Sequence, residues 1–167
     1  MPVPPQREVE AFRVRPITLW VAILLALLLQ TILPLRFALA GLMDLPLLVT
    51  VYFTLVRQNK IFGTFLGTGL GLVQDALSHG YLGMFGMAKA LTGYLTASAA
   101  VRFNLDSLLP RAVVTAGLIV IHNLCMTGLQ RALVDPPPTF VPLDLASAVL
   151  VNVALSLIIF PLLDRFR

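Results

Sequence analysis

The chain alternates long apolar stretches with short polar ones. Apolar side chains run without a break from Leu19 to Leu29, and five further stretches are nearly as continuous. A hydrocarbon layer of ~30 Å is crossed by about 20 helical residues, with shorter spans tolerated. On that measure six helices are predicted, over 17–35, 42–56, 61–77, 82–101, 108–129 and 141–163. Continuous runs, in place of alternating apolar and polar positions, argue against a β-barrel. The first run follows Arg13 and Arg15, as a cleaved leader would. It is long, however, and Pro34-Leu35-Arg36 follows it instead of a small-residue cleavage site, so it is expected to be retained. Asp44 stands where an N-cap of the second helix belongs, with Pro46 in the first turn. Pro161 is expected to kink or end the sixth helix.

The predicted organisation is therefore an N-terminal arm, 1–16, and a single six-helix transmembrane domain, 17–167. The arm is proline-rich and of mixed charge, and 135–139, with three consecutive prolines, reads as a stiff extended connector. No internal repeat is strong enough to indicate an inverted-repeat transporter.

Composition agrees with this pattern and removes alternatives. Hydrophobic residues make up 58% of the chain, leucine alone contributes 35 residues and mean hydropathy is +0.91. The charged fraction, 12%, is about half that of soluble domains. Too little polar material is present to coat a water-soluble fold, and too much apolar material for a disordered chain. Cys125 is the only cysteine, which excludes a disulfide scaffold. The expected class is an all-α integral membrane protein.

Net charge is +4, and its distribution predicts topology. With the N-terminus inside, the inner segments hold nine basic residues: Arg7, Arg13, Arg15, Arg57, Lys60, Arg102, Arg111, Arg165 and Arg167. The outer loops hold two, Arg36 and Arg131. Both termini are therefore expected in the cytoplasm. Trp20 then falls at the inner interface, and Asp44, Asp75, Asp135 and Asp144 fall toward the outer side.

Lys89 is left within the membrane, and small residues surround it. Gly63, Gly67, Gly71 and Asp75 recur at spacing four in the third helix; Lys89, Gly93 and Ala97 do so in the fourth. Residues four apart share a helix face, and small residues let two backbones approach closely in lipid. The two rows are expected to meet. At ~1.5 Å per residue, Asp75 lies about 21 Å above the start of its helix and Lys89 about 10 Å below the outer end of its own. These depths agree, so an Asp75–Lys89 pair is expected. It either locks two helices together or forms a ligand or proton site. His122-Asn123 in the fifth helix allows the same two readings, a satisfied buried histidine or a relay with Asp75 as its one good partner. Asn152 is expected to hydrogen-bond across helices.

Chemical constellations are missing. His79 and His122 are not in an HExxH arrangement, no GxSxG elbow is present and Cys125 has no CxxC partner. Gly67-Thr-Gly69-Leu-Gly71 lies inside an apolar helix and lacks the third glycine of a dinucleotide loop. No basic cluster with interleaved aromatics suggests nucleic acid. No enzyme, metal or cofactor is expected.

Three stretches resemble the MreD family of rod shape-determining membrane proteins. They are Trp20 to Gln30 with Pro34 after it; Asp44 to Tyr52, a basic turn, then Gly63-x3-Gly67-x3-Gly71-x3-Asp75-x4-Gly80-x2-Gly83 with Lys89 and Gly93-Tyr94-Leu95; and Asn152 with Phe160 to Arg165. The likeness covers most of 17–103 and the last dozen residues, while the fifth helix matches in hydropathy alone. The proline that relatives carry at or just before the start of the second helix stands here at 46. The resemblance implies a six-helix protein of the bacterial inner membrane, related in fold to the substrate-binding subunits of energy-coupling-factor vitamin transporters. It implies a non-enzymatic scaffold of peptidoglycan elongation and rod shape. The implied partners are MreC and, in a wider complex, MreB, RodA and a class B penicillin-binding transpeptidase. The transporter likeness adds a second expectation, a vitamin-like binding subunit, for which Ala22-x3-Ala26 resembles the docking motif. Outer-loop groups available to such a ligand are few: Phe37, His79, Tyr81 and Phe140.

Overall fold

The computed structural model describes residues 15–78, 81–103, 105, 107–136 and 141–166. It is all-helical over these, with six α-helices: α1 (Pro16–Ile32), α2 (Leu45–Arg57), α3 (Lys60–Ser78), α4 (Met84–Arg102), α5 (Leu108–Leu133) and α6 (Pro142–Asp164). The expected arm falls outside the described residues except for Arg15 and Pro16, and Pro16 already opens α1. Four segments are long and apolar enough to cross a membrane: Pro16–Leu35, Leu39–Arg57, Leu108–Leu133 and Pro142–Asp164. α3 and α4 are of similar length but are diluted by glycine, threonine and Lys89.

Boundaries moved where local chemistry dictates. α1 gives way at Leu33 to a 3₁₀ turn, Leu33–Leu35, containing Pro34. A second 3₁₀ turn, Ala38–Leu42, occupies the expected start of the second helix, and α2 begins only after Asp44. There Asp44 Oδ1 accepts a hydrogen bond from the Leu47 N–H at 3.0 Å, as an N-cap should. α4 starts at Met84 because Gly83 holds φ +99°, a left-handed conformation suited to glycine. Pro161 sits inside the last turn of α6, which continues to Asp164.

The helices alternate in direction. At one end of the bundle Thr18 Oγ1 donates to the Phe166 carbonyl, Arg57 lies over Phe62, and Arg111 bonds Asp164 at 3.0 Å. Asp164 also accepts from the Tyr52 hydroxyl at 2.9 Å, and Arg111 stacks over Phe160. At the other end Gln30, Asp44, Asp75, Lys89, His122 and Asn152 gather. α2 is the axis: every residue from Leu45 to Leu55 is buried. The outer faces of α1, α5 and α6 stay apolar and exposed, with Leu24, Val113 and Leu150 among their residues.

α3 and α4 form the tightest pair, along the predicted glycine rows. A Cβ at Gly67 would collide with the Lys89 carbonyl, one at Gly71 with the Phe85 carbonyl, and one at Gly93 with the Gly63 carbonyl. Backbone lies against backbone, which no residue larger than glycine permits.

Candidate functional site

Several polar residues inside the helical bundle converge on Asp44. Its Oδ2 accepts from Lys89 Nζ at 2.6 Å and lies 3.3 Å from His122 Nε2. Lys89 is fully buried, with Phe85 closing over its ammonium at 4.5 Å from the ring centroid. Phe85 in turn stacks on the His122 ring, centroids 6.4 Å apart. A buried ammonium requires an anion or dense hydrogen bonding, because desolvation would otherwise exceed any gain from packing. Asp44 meets that requirement while its second oxygen caps α2.

The backbone leading into Asp44 is irregular, and irregular backbone at membrane depth needs protein partners. Two amide side chains provide them. Asn152 Oδ1 accepts from the Asp44 N–H at 2.8 Å, and Asn152 Nδ2 donates to the carbonyls of Leu42 and Ala148. Gln30 Nε2 donates to the Met43 carbonyl, and Gln30 Oε1 accepts from the Leu45 N–H. The cross-helix role expected of Asn152 is therefore observed. Gln30, which ends the apolar run of α1, is its counterpart from the opposite side.

The expected Asp75–Lys89 pair does not form. Asp75 caps the next helix instead: its carboxylate accepts from the N–H groups of Gly83, Phe85 and Gly86 at 2.9, 3.1 and 3.2 Å. Three unsatisfied amides at a helix start, carrying the positive end of the helix dipole, hold a carboxylate as well as a lysine would. Lys89 is one turn deeper and turns to Asp44 on α2. Both aspartates lie at the same end of the bundle, and depth alone did not separate them. His122 reaches Asp44 and not Asp75. Asn123 bonds back to the Ile119 carbonyl of its own helix. Gly63, Gly67, Gly71 and Gly93 belong to the α3–α4 seam as expected. His79 and Phe140 lie outside the described residues.

Above this cluster is a cavity of about 340 Å³ between α1, α3, α4, α5 and α6. Asp44, Gln74, His122, Asn123, Thr127 and Asp144 are among the residues lining it. A second hollow of about 290 Å³ shares Phe85, Met126 and Gln130 with it and extends toward Asp75 and Tyr81. The sequence signals for the cavity are weak, since Gln74, Thr127 and Gln130 form no recognisable motif along the chain. Comparison with protein-family models, curated proteins and solved structures found no match.

Proposed function

We propose that the protein is a non-enzymatic membrane scaffold of bacterial lateral cell-wall elongation, acting with MreC in the inner membrane with both termini in the cytoplasm. The observation that carries this reading is the use made of the residues behind the MreD resemblance. Gly63, Gly67 and Gly71 form a backbone seam, Asp75 caps α4, and Asn152 clamps the entry to α2. Each shapes a rigid bundle. The exposed apolar faces of α1, α5 and α6 are then available to lipid and to a partner's transmembrane helix. RodA, the class B transpeptidase and MreB join through the same assembly. The basic end of the bundle, with Arg15, Arg57, Lys60, Arg102, Arg111 and Arg165, faces the cytoplasm in this reading.

A second reading, a small-molecule-binding subunit of a membrane transporter, draws support from the polar cavity. Ala22 and Ala26 speak against docking through the first helix, since both are buried against the bundle instead of facing outward. Depletion in the native host separates the two readings. The scaffold reading expects loss of rod shape and co-purification with tagged MreC. Normal shape with defective uptake of a vitamin, and no MreC in the purified complex, would replace it with the transporter reading.

A further inference from the structure

We propose that the cavity beside Asp44 is a binding site for a primary ammonium group, carried either by a small free amine or by the headgroup of an aminophospholipid. The inference rests on the charge of the lining and on one buried, unpaired amide oxygen, and holds whether the bundle serves a scaffold or a transporter.

Several donors that line the cavity are spent on the protein. Gln30 Nε2 donates to Met43, Asn152 Nδ2 to Leu42 and Ala148, Asn123 Nδ2 to Ile119, and the Thr127 hydroxyl to Asn123. His122 Nε2 faces the Asp44 carboxylate. Acceptors remain. Gln74 is more than nine-tenths buried, lines the cavity, and its Oε1 has no hydrogen-bond partner. A buried amide oxygen left unpaired is costly, so the site is set up to receive a donor. Asp144, in the first turn of α6, adds a carboxylate at the exposed mouth.

Charge points the same way. No lysine or arginine is among the described residues that line the cavity. Lys89 is paired with Asp44, which leaves Asp144 as the remaining charge among the described lining residues and that lining net negative. An anion would find no lysine or arginine among these groups and would meet the Asp144 carboxylate at the mouth. An ammonium finds a carboxylate at the mouth and an unpaired carbonyl further in, with Phe85, Leu145 and Met126 to cover a short carbon skeleton. The volume, about 340 Å³, lies in the range of small-molecule sites and admits a headgroup or a small amine.

The test uses the full chain in nanodiscs of phosphatidylcholine and phosphatidylglycerol, which carry no primary amine. Ethanolamine is titrated while thermal stability and heat of binding are followed, with ethylene glycol and acetate as neutral and anionic probes. A parallel set of nanodiscs contains phosphatidylethanolamine, and native mass spectrometry reads the lipid retained after detergent extraction. A free amine as ligand is indicated by ethanolamine raising Tm where glycol and acetate do not. A lipid headgroup is indicated by selective retention of phosphatidylethanolamine. In either case Gln74→Leu should weaken binding about tenfold, the scale of one lost hydrogen bond in a dry site. Asp144→Asn should weaken it a few-fold, as expected of an exposed charge. Asp144→Asn alters an exposed position and keeps the assay informative if Gln74→Leu fails to fold. Absence of both ethanolamine stabilisation and selective lipid retention overturns the proposal. So does binding of acetate or glycol equal to that of ethanolamine, or binding untouched by the variants.

Discussion

Asp44 does four things with one side chain and its own amide. It caps α2, neutralises Lys89, orients His122 and anchors Asn152. Removing one member of a buried ion pair strands the other, at a typical cost of ~3–5 kcal/mol. Lysine can snorkel and water can enter, so the cost in a bilayer is expected toward the lower end. Lys89→Ala and Asp44→Ala should each lower thermal stability strongly in detergent, and the double variant by much less than the sum. The cycle between Asp75 and Lys89 should show far weaker coupling, because Asp75 spends its oxygens on the α4 amides. Equal coupling in the two cycles would contradict this assignment. Asp75→Ala removes a cap, and a loss of about 1–2 kcal/mol is expected from it alone.

At the scale of the helix, glycines of one sequence type divide into two physical classes. Gly67, Gly71 and Gly93 face the neighbouring backbone, whereas a Cβ at Gly69 or Gly117 would meet open space. Gly67→Ala must therefore push α4 away, with a loss above the ~1–3 kcal/mol usual for overpacking, since a backbone cannot change rotamer. Gly69→Ala, one helical face away, should be neutral or stabilising by up to about 1 kcal/mol through helix propensity. Reversible unfolding of the two variants in mixed micelles checks the contrast, and equal losses would refute the seam. The seam was legible in the sequence because spacing four is a property of one helix. The partner of Lys89 was not, because choosing between Asp44 and Asp75 needs the packing of α2 on α4, elements not consecutive in the chain. The delayed start of α2 was equally hidden: Leu42 is as apolar as its neighbours, and Gln30 and Asn152, which hold that turn out of the helix, come from distant sequence.

The whole molecule is polarised along its axis. One end carries six of the described basic residues and closes with the Tyr52–Asp164–Arg111 cluster. The other carries Asp44, Asp75 and Asp144, the amide clamps and the cavity. The loop charge partition read from sequence therefore coincides with a partition of chemistry, and an even number of alternating helices brings the first and last turns together through Thr18 and Phe166. Reporter fusions should be cytoplasm-active at both ends, and alkaline phosphatase joined after Arg36 should be active outside. High phosphatase activity at the C-terminal end would invert the assignment.

Asp44 also imposes a schedule on biogenesis. Its ion-pair partner lies 45 residues later in the chain and its amide acceptor, Asn152, 108 residues later. At about 5–20 residues per second, a ribosome delivers the first after roughly 2–9 s and the second after roughly 5–20 s. Until then the segment that becomes the buried axis, only 13 helical residues long, carries a carboxylate and a proline toward lipid with nothing to offset them, and an aspartate within an inserting helix is disfavoured. α2 should linger at the translocon until α3 and α4 emerge. Arrested nascent chains ending between Arg57 and Lys89 should label incompletely from outside at a Gly41→Cys thiol, and chains extended past α4 fully. On this view the molecule's innermost helix is the last of its first four to be secured, and its place is decided by residues that do not yet exist when it enters the membrane.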